Sequence, residues 1–136
     1  GKATRAGIKL SATVVLGLGG PRLSARHAAE SARLIDEVRP RFASALTLML
    51  EPGSDRYARE FGDPSWRLLE PREFLLELRG LVAGVHKDGI IFRSNHASNY
   101  LPIGGTFAKG KARMLADIDR ALEEPAAMRP ELFRGL

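Results

Sequence analysis

Cysteine is absent from this sequence. Its absence excludes disulfide bonds, a thiol nucleophile, and any metal ion or iron–sulfur cluster held by thiolates of this chain. The three histidines, His27, His86 and His96, do not follow the spacing of metal ligands, so we predict no metal site. No serine or carboxylate is placed by the sequence as a triad partner for His96, so we assign no catalytic residue.

Long apolar runs are also lacking. No stretch approaches the roughly 20 residues that span a bilayer, and no signal-peptide pattern is present. We therefore expect a cytoplasmic protein without a membrane partner. The net charge of +5 would permit nucleic-acid binding, but basic and acidic residues alternate, as in Arg33, Asp36, Glu37 and Arg39. An RNA-associated domain is for this reason the poorest of the functional readings.

The 136 residues are enough for a single domain with a real core, and we treat 1–136 as one unit. Three segments read as strands, 8–18, 42–51 and one that begins at Ile90. The helical segments begin at Ser24, Pro71 and Thr106, with a short helix capped by Ser54 after the turn Pro52-Gly53. This alternation predicts an α/β fold of parallel βαβ units, three main strands with covering helices, forming part of a TIM-like (β/α) partial barrel.

The periodicity of apolar residues predicts which side chains are buried. The helix stripes are His27, Ser31, Leu34, Ile35 and Val38; then Phe74, Leu75, Leu78, Leu81, Val82 and Val85; then Met114, Leu115, Ile118, Ala121 and Leu122. The strand positions predicted to lie under helices are Leu10, Ala12, Val14, Leu16, Leu46, Leu48, Leu50, Ile90 and Phe92. The opposite set is Lys9, Ser11, Thr13, Val15, Thr47, Met49, Glu51, Ile91, Arg93 and Asn95. A polar set on that side predicts a lined cavity rather than a closed core.

The segment Gly89 to Gly105 changes abruptly from a buried strand to a polar loop. Its polar side chains are Arg93, Ser94, Asn95, His96, Ser98 and Asn99. Ligands bind beyond the carboxyl ends of parallel strands, where these groups would project. The alternative is a structural turn whose side chains bond nearby backbone groups. Arg93 is open to the same two readings, because it would either face a cavity or pair with Glu51 on the neighbouring strand.

The glycine-rich segment Gly17-Leu18-Gly19-Gly20 lies between a strand and a helix, where phosphate loops occur. The dinucleotide fingerprint fails at Arg22, and no Gly-Lys-Ser/Thr ending is present. One function that remains open is a stand-alone α/β module that binds a small phosphorylated or anionic ligand through this loop.

Three segments resemble a known family. Ile-Lys-Leu-Ser-Ala-Thr-Val-Val-Leu-Gly-Leu-Gly-Gly, from Ile8, resembles the fifth barrel strand of radical S-adenosylmethionine enzymes. Leu-Thr-Leu-Met-Leu-Glu-Pro-Gly-Ser, from Leu46, is similar to the sixth strand and its turn in the branch near oxygen-independent coproporphyrinogen oxidase. Phe-Arg-Ser-Asn-His-Ala-Ser-Asn-Tyr-Leu-Pro-Ile-Gly-Gly from Phe92, with Arg-Pro-Glu-Leu-Phe-Arg-Gly-Leu from Arg129, resembles the carboxyl-terminal end of one subgroup.

The resemblance implies a carboxyl-terminal portion of a larger radical S-adenosylmethionine barrel, an Fe–S oxidoreductase. It places Val15, Gly17 and Gly19 beside the adenosine of S-adenosylmethionine, and it places Arg93, Asn95, His96 and Asn99 on the side of a small-molecule substrate. The family's Cys-x-x-x-Cys-x-x-Cys loop and its Gly-Gly-Glu motif are missing. The cofactors, S-adenosylmethionine and a [4Fe–4S] cluster, would therefore belong to the parent enzyme, and we expect this chain alone to hold neither and to be inactive. Its expected partner is the amino-terminal half of the parent chain or a second copy of itself.

Overall fold

Four strands form one mixed sheet in the order β1-β2-β3-β4. The computed structural model describes residues 5–50 and 56–134. The elements are β1 (Ser11–Leu16), α1 (Gly20–Val38), β2 (Phe42–Thr47), α2 (Arg56–Glu60), α3 (Pro71–Gly84), β3 (Ile91–Ser94), β4 (Ile103–Thr106) and α4 (Lys111–Glu123). Two 3₁₀ turns follow, Pro125–Ala127 and Glu131–Phe133. Glu51, the predicted turn Pro52-Gly53 and the predicted cap Ser54 lie outside the described residues.

The strands β1, β2 and β3 are parallel, which confirms the predicted α/β class. The fourth strand was not predicted, and it runs antiparallel to β3. Thr106 ends this strand instead of capping a helix, and α4 begins after Gly110. Gly104 allows the close pairing, because a Cβ atom there would lie 3.2 Å from the carbonyl oxygen of Phe92. The edge strands β1 and β4 do not pair with each other, so the sheet is open.

Helix α3 forms the centre of the helical layer and has the predicted buried face. Pro71 occupies its first turn, and Glu70 and Glu73 form a reciprocal capping box that satisfies backbone donors at its start. The residues of the predicted stripe are all buried: Phe74, Leu75, Leu78, Leu81, Val82 and Val85. This helix packs between α1 and α4.

Helix α1 approaches α3 closely through small residues. A Cβ atom on Gly80 would lie 3.2 Å from Cβ of Ala28, and one on Gly84 would lie 2.8 Å from Cβ of Ala32. The buried residues of α1 are Gly20, Ala28, Ala32 and Ile35. The predicted stripe was wrong at Leu34 and Val38, which are 56% and 36% exposed, because close helix packing selects small side chains. The predicted cap at Ser24 was also wrong, since α1 begins at Gly20 and Gly19 is its N-cap.

One face of the sheet packs against the helices, whereas the described residues of the other face are partly or fully exposed and none of them is buried. The predicted alternation of buried and exposed side chains is confirmed for β1 and β3, because Leu16 and Phe92 are buried and Arg93 is exposed. In β2, the side chains that face the helices are those predicted to face away from them. Thr47 lies beside Leu16 and is buried, whereas Leu46 lies beside Val15 on the exposed side. We call the exposed side the open face; it comprises Ser11, Thr13, Val15, Phe42, Ser44, Leu46, Ile91, Arg93, Gly104 and Thr106.

Thr47 can be buried in spite of its hydroxyl because Asn99 bonds both its amide and its hydroxyl. Alternation of apolar residues alone could not anticipate this partner, since it comes from a loop 52 positions away. Within residues 5–50 and 56–134, none of the helices has the length and apolar character needed to cross a membrane.

Candidate functional site

A row of polar residues crosses the open face. Thr13 and Ser44 are joined by a hydrogen bond of 2.8 Å between their hydroxyl oxygens. Ser44 lies opposite Arg93, and Arg93 lies opposite Gly104 on the last strand. Apolar pairs flank this row on both sides, Val15 with Leu46 toward the carboxyl ends of the parallel strands, and Phe42 with Ile91 toward their amino ends. The open face therefore combines apolar surface with a central band of hydroxyl and guanidinium groups.

Arg93 is exposed on this face, and its guanidinium lies beside Gly104. A Cβ atom on Gly104 would be 3.8 Å from Nη1 of Arg93. Among the described residues Arg93 makes no hydrogen bond or ion pair, while its predicted partner Glu51 lies outside them. An exposed guanidinium of this kind is suited to bind a carboxylate or phosphate in bidentate fashion.

Asn99 is buried, and other parts of the chain occupy its polar atoms. Its Oδ1 accepts hydrogen bonds from the amide and hydroxyl of Thr47 at 2.7 and 3.0 Å. Its Nδ2 donates to the carbonyl of Ala45 at 2.8 Å and to the hydroxyl of Ser94 at 3.1 Å. Asn99 therefore ties the loop after β3 to the end of β2, as in the alternative reading of this loop as a structural turn.

Asn95 and His96, in contrast, are exposed. His96 Nδ1 lies 3.0 Å from the hydroxyl of Ser98 and 3.2 Å from its amide nitrogen, so this ring edge stabilises the turn. Of the residues predicted to face a substrate, Arg93 therefore lies on the open face. Asn95 and His96 lie on the exposed loop that follows it, whereas Asn99 is buried and does not share a surface with them.

The carboxyl-terminal tail holds this loop in place. Arg129 donates to the carbonyls of His96 and Ala97 at 3.2 and 2.9 Å. Arg134 donates to the carbonyl of Ser98 at 2.8 Å, and its guanidinium carbon lies 3.6 Å from the centre of the Tyr100 ring. Burial, followed by a hydrogen bond to Glu131, raises the pKa of Tyr100 to about 12.

The glycine-rich segment forms a turn that is bonded from several sides. Gly17 has φ of +90°, and a Cβ atom there would lie 2.5 Å from the ring of Phe74. The carbonyl of Leu18 accepts hydrogen bonds from the Tyr57 hydroxyl at 2.8 Å and from the Trp66 indole at 3.1 Å. Burial raises the pKa of Tyr57. A Cβ atom on Gly19 would lie 2.8 Å from Leu23. Glycine is therefore needed at these positions for packing and backbone geometry.

A buried carboxylate fills the position that a phosphate loop would offer to its ligand. The Gly17 amide donates to Glu77 Oε1 at 3.0 Å, and the side chain of Glu77 is fully buried. Ser24 donates to Oε2 at 2.5 Å, and His27 Nδ1 lies 2.7 Å from Oε1. Because the Gly17 amide already donates to Glu77, this amide is not available to a phosphate in the alternative function, anion binding by the glycine turn.

Glu77 was missed by the sequence reasoning, although a signal for it exists. It lies within the apolar stripe of α3, one helical turn after Phe74 and directly before Leu78. A carboxylate at such a position must be buried with donors or must distort the helix packing. That constraint would have singled it out.

Comparisons with protein-family models, with curated proteins and with solved structures found no match for this chain. Within the described residues, no group of His, Asp and Glu side chains is arranged to hold a metal ion. The geometry supports two kinds of chemistry: recognition of a ligand on the open face, and hydrogen bonding by the histidine that Glu77 orients.

Proposed function

We propose that this chain forms part of the wall of a (β/α) partial barrel in a radical S-adenosylmethionine enzyme, with the open face turned toward the adenosine and substrate cavity. The observation that supports this most strongly is the one-sided covering of the sheet. Parallel strands normally have both faces of their sheet buried. Three parallel strands with one face that the described residues leave open therefore suit a wall whose inner side lines a cavity.

Each part of the open face fits a part of the expected ligands. Val15 and Leu46 offer apolar contact at the carboxyl ends of β1 and β2, where a flat adenine ring could lie. Arg93 offers a guanidinium that has no partner among residues 5–50 and 56–134, and it could bind a carboxylate or phosphate of the substrate. Gly17 and Gly19 would shape the turn beside the adenosine rather than bind it, because the Gly17 amide is engaged by Glu77.

The chain's own residues do not fit an iron–sulfur cluster, since the sequence has no cysteine. The cluster ligands would come from an amino-terminal half of the parent enzyme. S-adenosylmethionine would supply the radical chemistry there, while this chain would contribute shape, apolar contact and a positive charge. We expect anaerobic reconstitution of the chain alone to yield no bound iron and sulfide and no deoxyadenosine.

A titration followed by nuclear magnetic resonance tests the proposal on the full chain. S-adenosylhomocysteine, a stable analogue of the cofactor, should shift the amide signals of Val15 and Leu46 only weakly and without saturation, because this chain offers one wall of the site and does not hold the cofactor on its own. Val15→Lys should abolish these shifts, whereas Ser11→Lys, at the other end of the same strand and face, should preserve them. Absence of shifts on the open face of the folded chain would contradict the proposed role.

Inorganic phosphate in the same experiment examines the alternative, a module that binds anions through the glycine turn. The engaged amide of Gly17 disfavours such binding. Saturable phosphate shifts confined to Gly19, Gly20 and Arg22 would favour that alternative and would remove the support for the barrel wall.

A further inference from the structure

A cavity lies beside the glycine turn, between α1 and α2. Its volume is about 310 Å³, and its walls include Leu18, Leu23, His27, Tyr57 and Phe61. None of the open-face residues lines it. We call this cavity the His27 groove. Its volume is at the lower end of the roughly 300–1,000 Å³ common for small-molecule sites, so it suits a ligand of one or two rings.

His27 enters this groove with a fixed ring orientation. Its Nδ1 lies 2.7 Å from Oε1 of Glu77. The Glu77 carboxylate also accepts the Gly17 amide and the Ser24 hydroxyl, so Nδ1 carries the proton that completes its set of donors. In the neutral imidazole, Nε2 is then an acceptor, and none of the residues that the structure describes donates a hydrogen bond to it. The side chain is 25% exposed and lines the groove. Because Nδ1 faces the buried Glu77, we infer that the exposed part of the ring is its Nε2 side.

The aromatic walls of the groove are held by contacts of their own. The Tyr57 hydroxyl donates to the carbonyl of Leu18. The rings of Tyr57 and Phe61 stack with centroids 5.9 Å apart, and Trp66 supports Tyr57 at 4.8 Å. Such rings provide flat apolar surface with little loss of side-chain freedom on binding.

Charge at the rim of the groove is mixed. Arg26 and Glu30 both line it, and Glu30 is paired with Arg33 at 2.9 Å. The rim therefore favours neither anions nor cations strongly. The specific polar group that lines the groove is the imidazole of His27, which is an acceptor at Nε2 in its neutral form.

We propose that the His27 groove binds a small, uncharged aromatic molecule that carries one hydroxyl or ring N–H, whose hydrogen is accepted by Nε2 of His27. The ring of the ligand lies against Tyr57, Phe61 and Leu23. Glu77 is the positioning residue, because it selects the tautomer of His27 without touching the ligand. This inference does not rest on the barrel-wall proposal.

Phenol and toluene form a matched pair of probes, because they have nearly the same shape and only phenol has a donor. Histidine nitrogen resonances of the full chain should show His27 with Nδ1 protonated and Nε2 free. Phenol should shift Nε2 of His27 saturably and bind about fivefold to tenfold more tightly than toluene, as expected for one net hydrogen bond. His27→Phe should remove this preference, whereas His86→Phe, at an exposed histidine, should keep it.

Any one of several results would overturn the inference: an Nε2-protonated His27, equal affinity for phenol and toluene, or phenol shifts that fail to saturate. The comparison of the two probes on the unaltered chain remains decisive if His27→Phe does not fold. Phenol shifts confined to the open face would equally contradict it.

Discussion

The backbone amide of Gly17 donates a hydrogen bond to the buried carboxylate of Glu77, which lies 60 positions later in the sequence. This bond joins the turn after β1 to the middle of α3. Phe74, one turn earlier in α3, occupies the space where a Gly17 side chain would lie. The glycine turn and the central helix therefore fix each other, and the same carboxylate also contacts His27, which lines the His27 groove.

Substitution of Glu77 tests the strength of this junction. Glu77→Gln keeps the shape but presents an NH₂ group where acceptors are needed, so we expect a loss of about 1–3 kcal/mol in the free energy of unfolding. Glu77→Ala also removes the acceptor of Gly17, Ser24 and His27. It should lower the free energy of unfolding by about 3–5 kcal/mol. Urea denaturation measures both. Glu124→Gln, at an exposed position after α4, should stay within about 0.5 kcal/mol of the unaltered chain.

Alanine substitutions at two glycines distinguish the loss of unfolding free energy due to a steric clash from the loss due to an unfavourable backbone angle. Gly17 and Gly62 both have positive φ, but only Gly17 has a neighbour where a side chain would be placed. We expect Gly62→Ala to cost about 1 kcal/mol, the conformational contribution alone. Gly17→Ala should cost at least about 2 kcal/mol more, because Phe74 must move in a packed core. Equal losses of unfolding free energy would show that the Phe74 ring adjusts freely.

The features predicted from the sequence are those that large apolar residues encode. Helix α3 repeats Phe, Leu and Val at helical spacing, and every apolar residue of its buried face was predicted, whereas the buried Glu77 among them was not. Helix α1 is buried through Ala28 and Ala32, whose small size is an advantage only against Gly80 and Gly84 of the partner helix. The sequence of α1 alone does not reveal which helix packs against it. The larger Leu34 was therefore predicted to be buried instead of the two alanines.

Buried polar groups account for most of the remaining errors. Thr47 faces the helices because Asn99 accepts hydrogen bonds from its amide and its hydroxyl. The alternation of buried and exposed side chains in β2 is for this reason the opposite of the predicted one. Asn99 itself was predicted to face a substrate, while Glu77 was not considered. Polarity alone does not tell a ligand-binding side chain from one bonded within the protein, since the distinction depends on distant partners. β4 was missed because Gly104 and Gly105 carry no strand pattern.

Asn99 and Asn95 provide a matched test of this distinction. Asn99→Ala removes four buried hydrogen bonds and should lower the free energy of unfolding by about 2–4 kcal/mol. Asn95→Ala, on the exposed part of the same loop, should change it by no more than about 0.5 kcal/mol. If Asn99→Ala unfolded with the same free energy as the unaltered chain, these hydrogen bonds would not be structural, and Asn99 would again be a candidate for binding a ligand.

The two tyrosines predict a distinct behaviour in alkali. The pKa of Tyr100 is raised from 10.0 to about 12, chiefly by burial. The folded chain thus holds this proton more tightly than the unfolded chain. The resulting stabilisation is complete below pH 10.0 and is lost as the pH rises through about 12.

Ultraviolet absorbance of tyrosinate measures this effect. In Tyr57→Phe, which leaves Tyr100 as the only tyrosine, ionisation of the folded chain should occur near pH 12 and should move toward 10.0 in concentrated urea. An ionisation near 10.0 without urea would mean that Tyr100 is solvated and that the tail does not cover it.

Self-association through the open face is the last expectation, and it follows from exposed apolar surface beside unpaired strand edges. Phe42 is 41% exposed on this face, next to Ile91. In a dimer formed through this face it would be buried in both copies, and burying such a side chain contributes roughly 1.5–3 kcal/mol. Sedimentation of the unaltered chain should therefore depend on concentration, and Phe42→Lys should weaken the association at least tenfold.

Leu132→Lys is the matched control for this prediction. Leu132 is 88% exposed but belongs to the carboxyl-terminal tail, not to the open face. We expect it to leave the association constant unchanged. If Leu132→Lys disrupts the association and Phe42→Lys does not, the tail mediates the contact. A monomer at every concentration would show that the open face needs no cover in solution, which would weaken its assignment as the inner wall of a larger barrel.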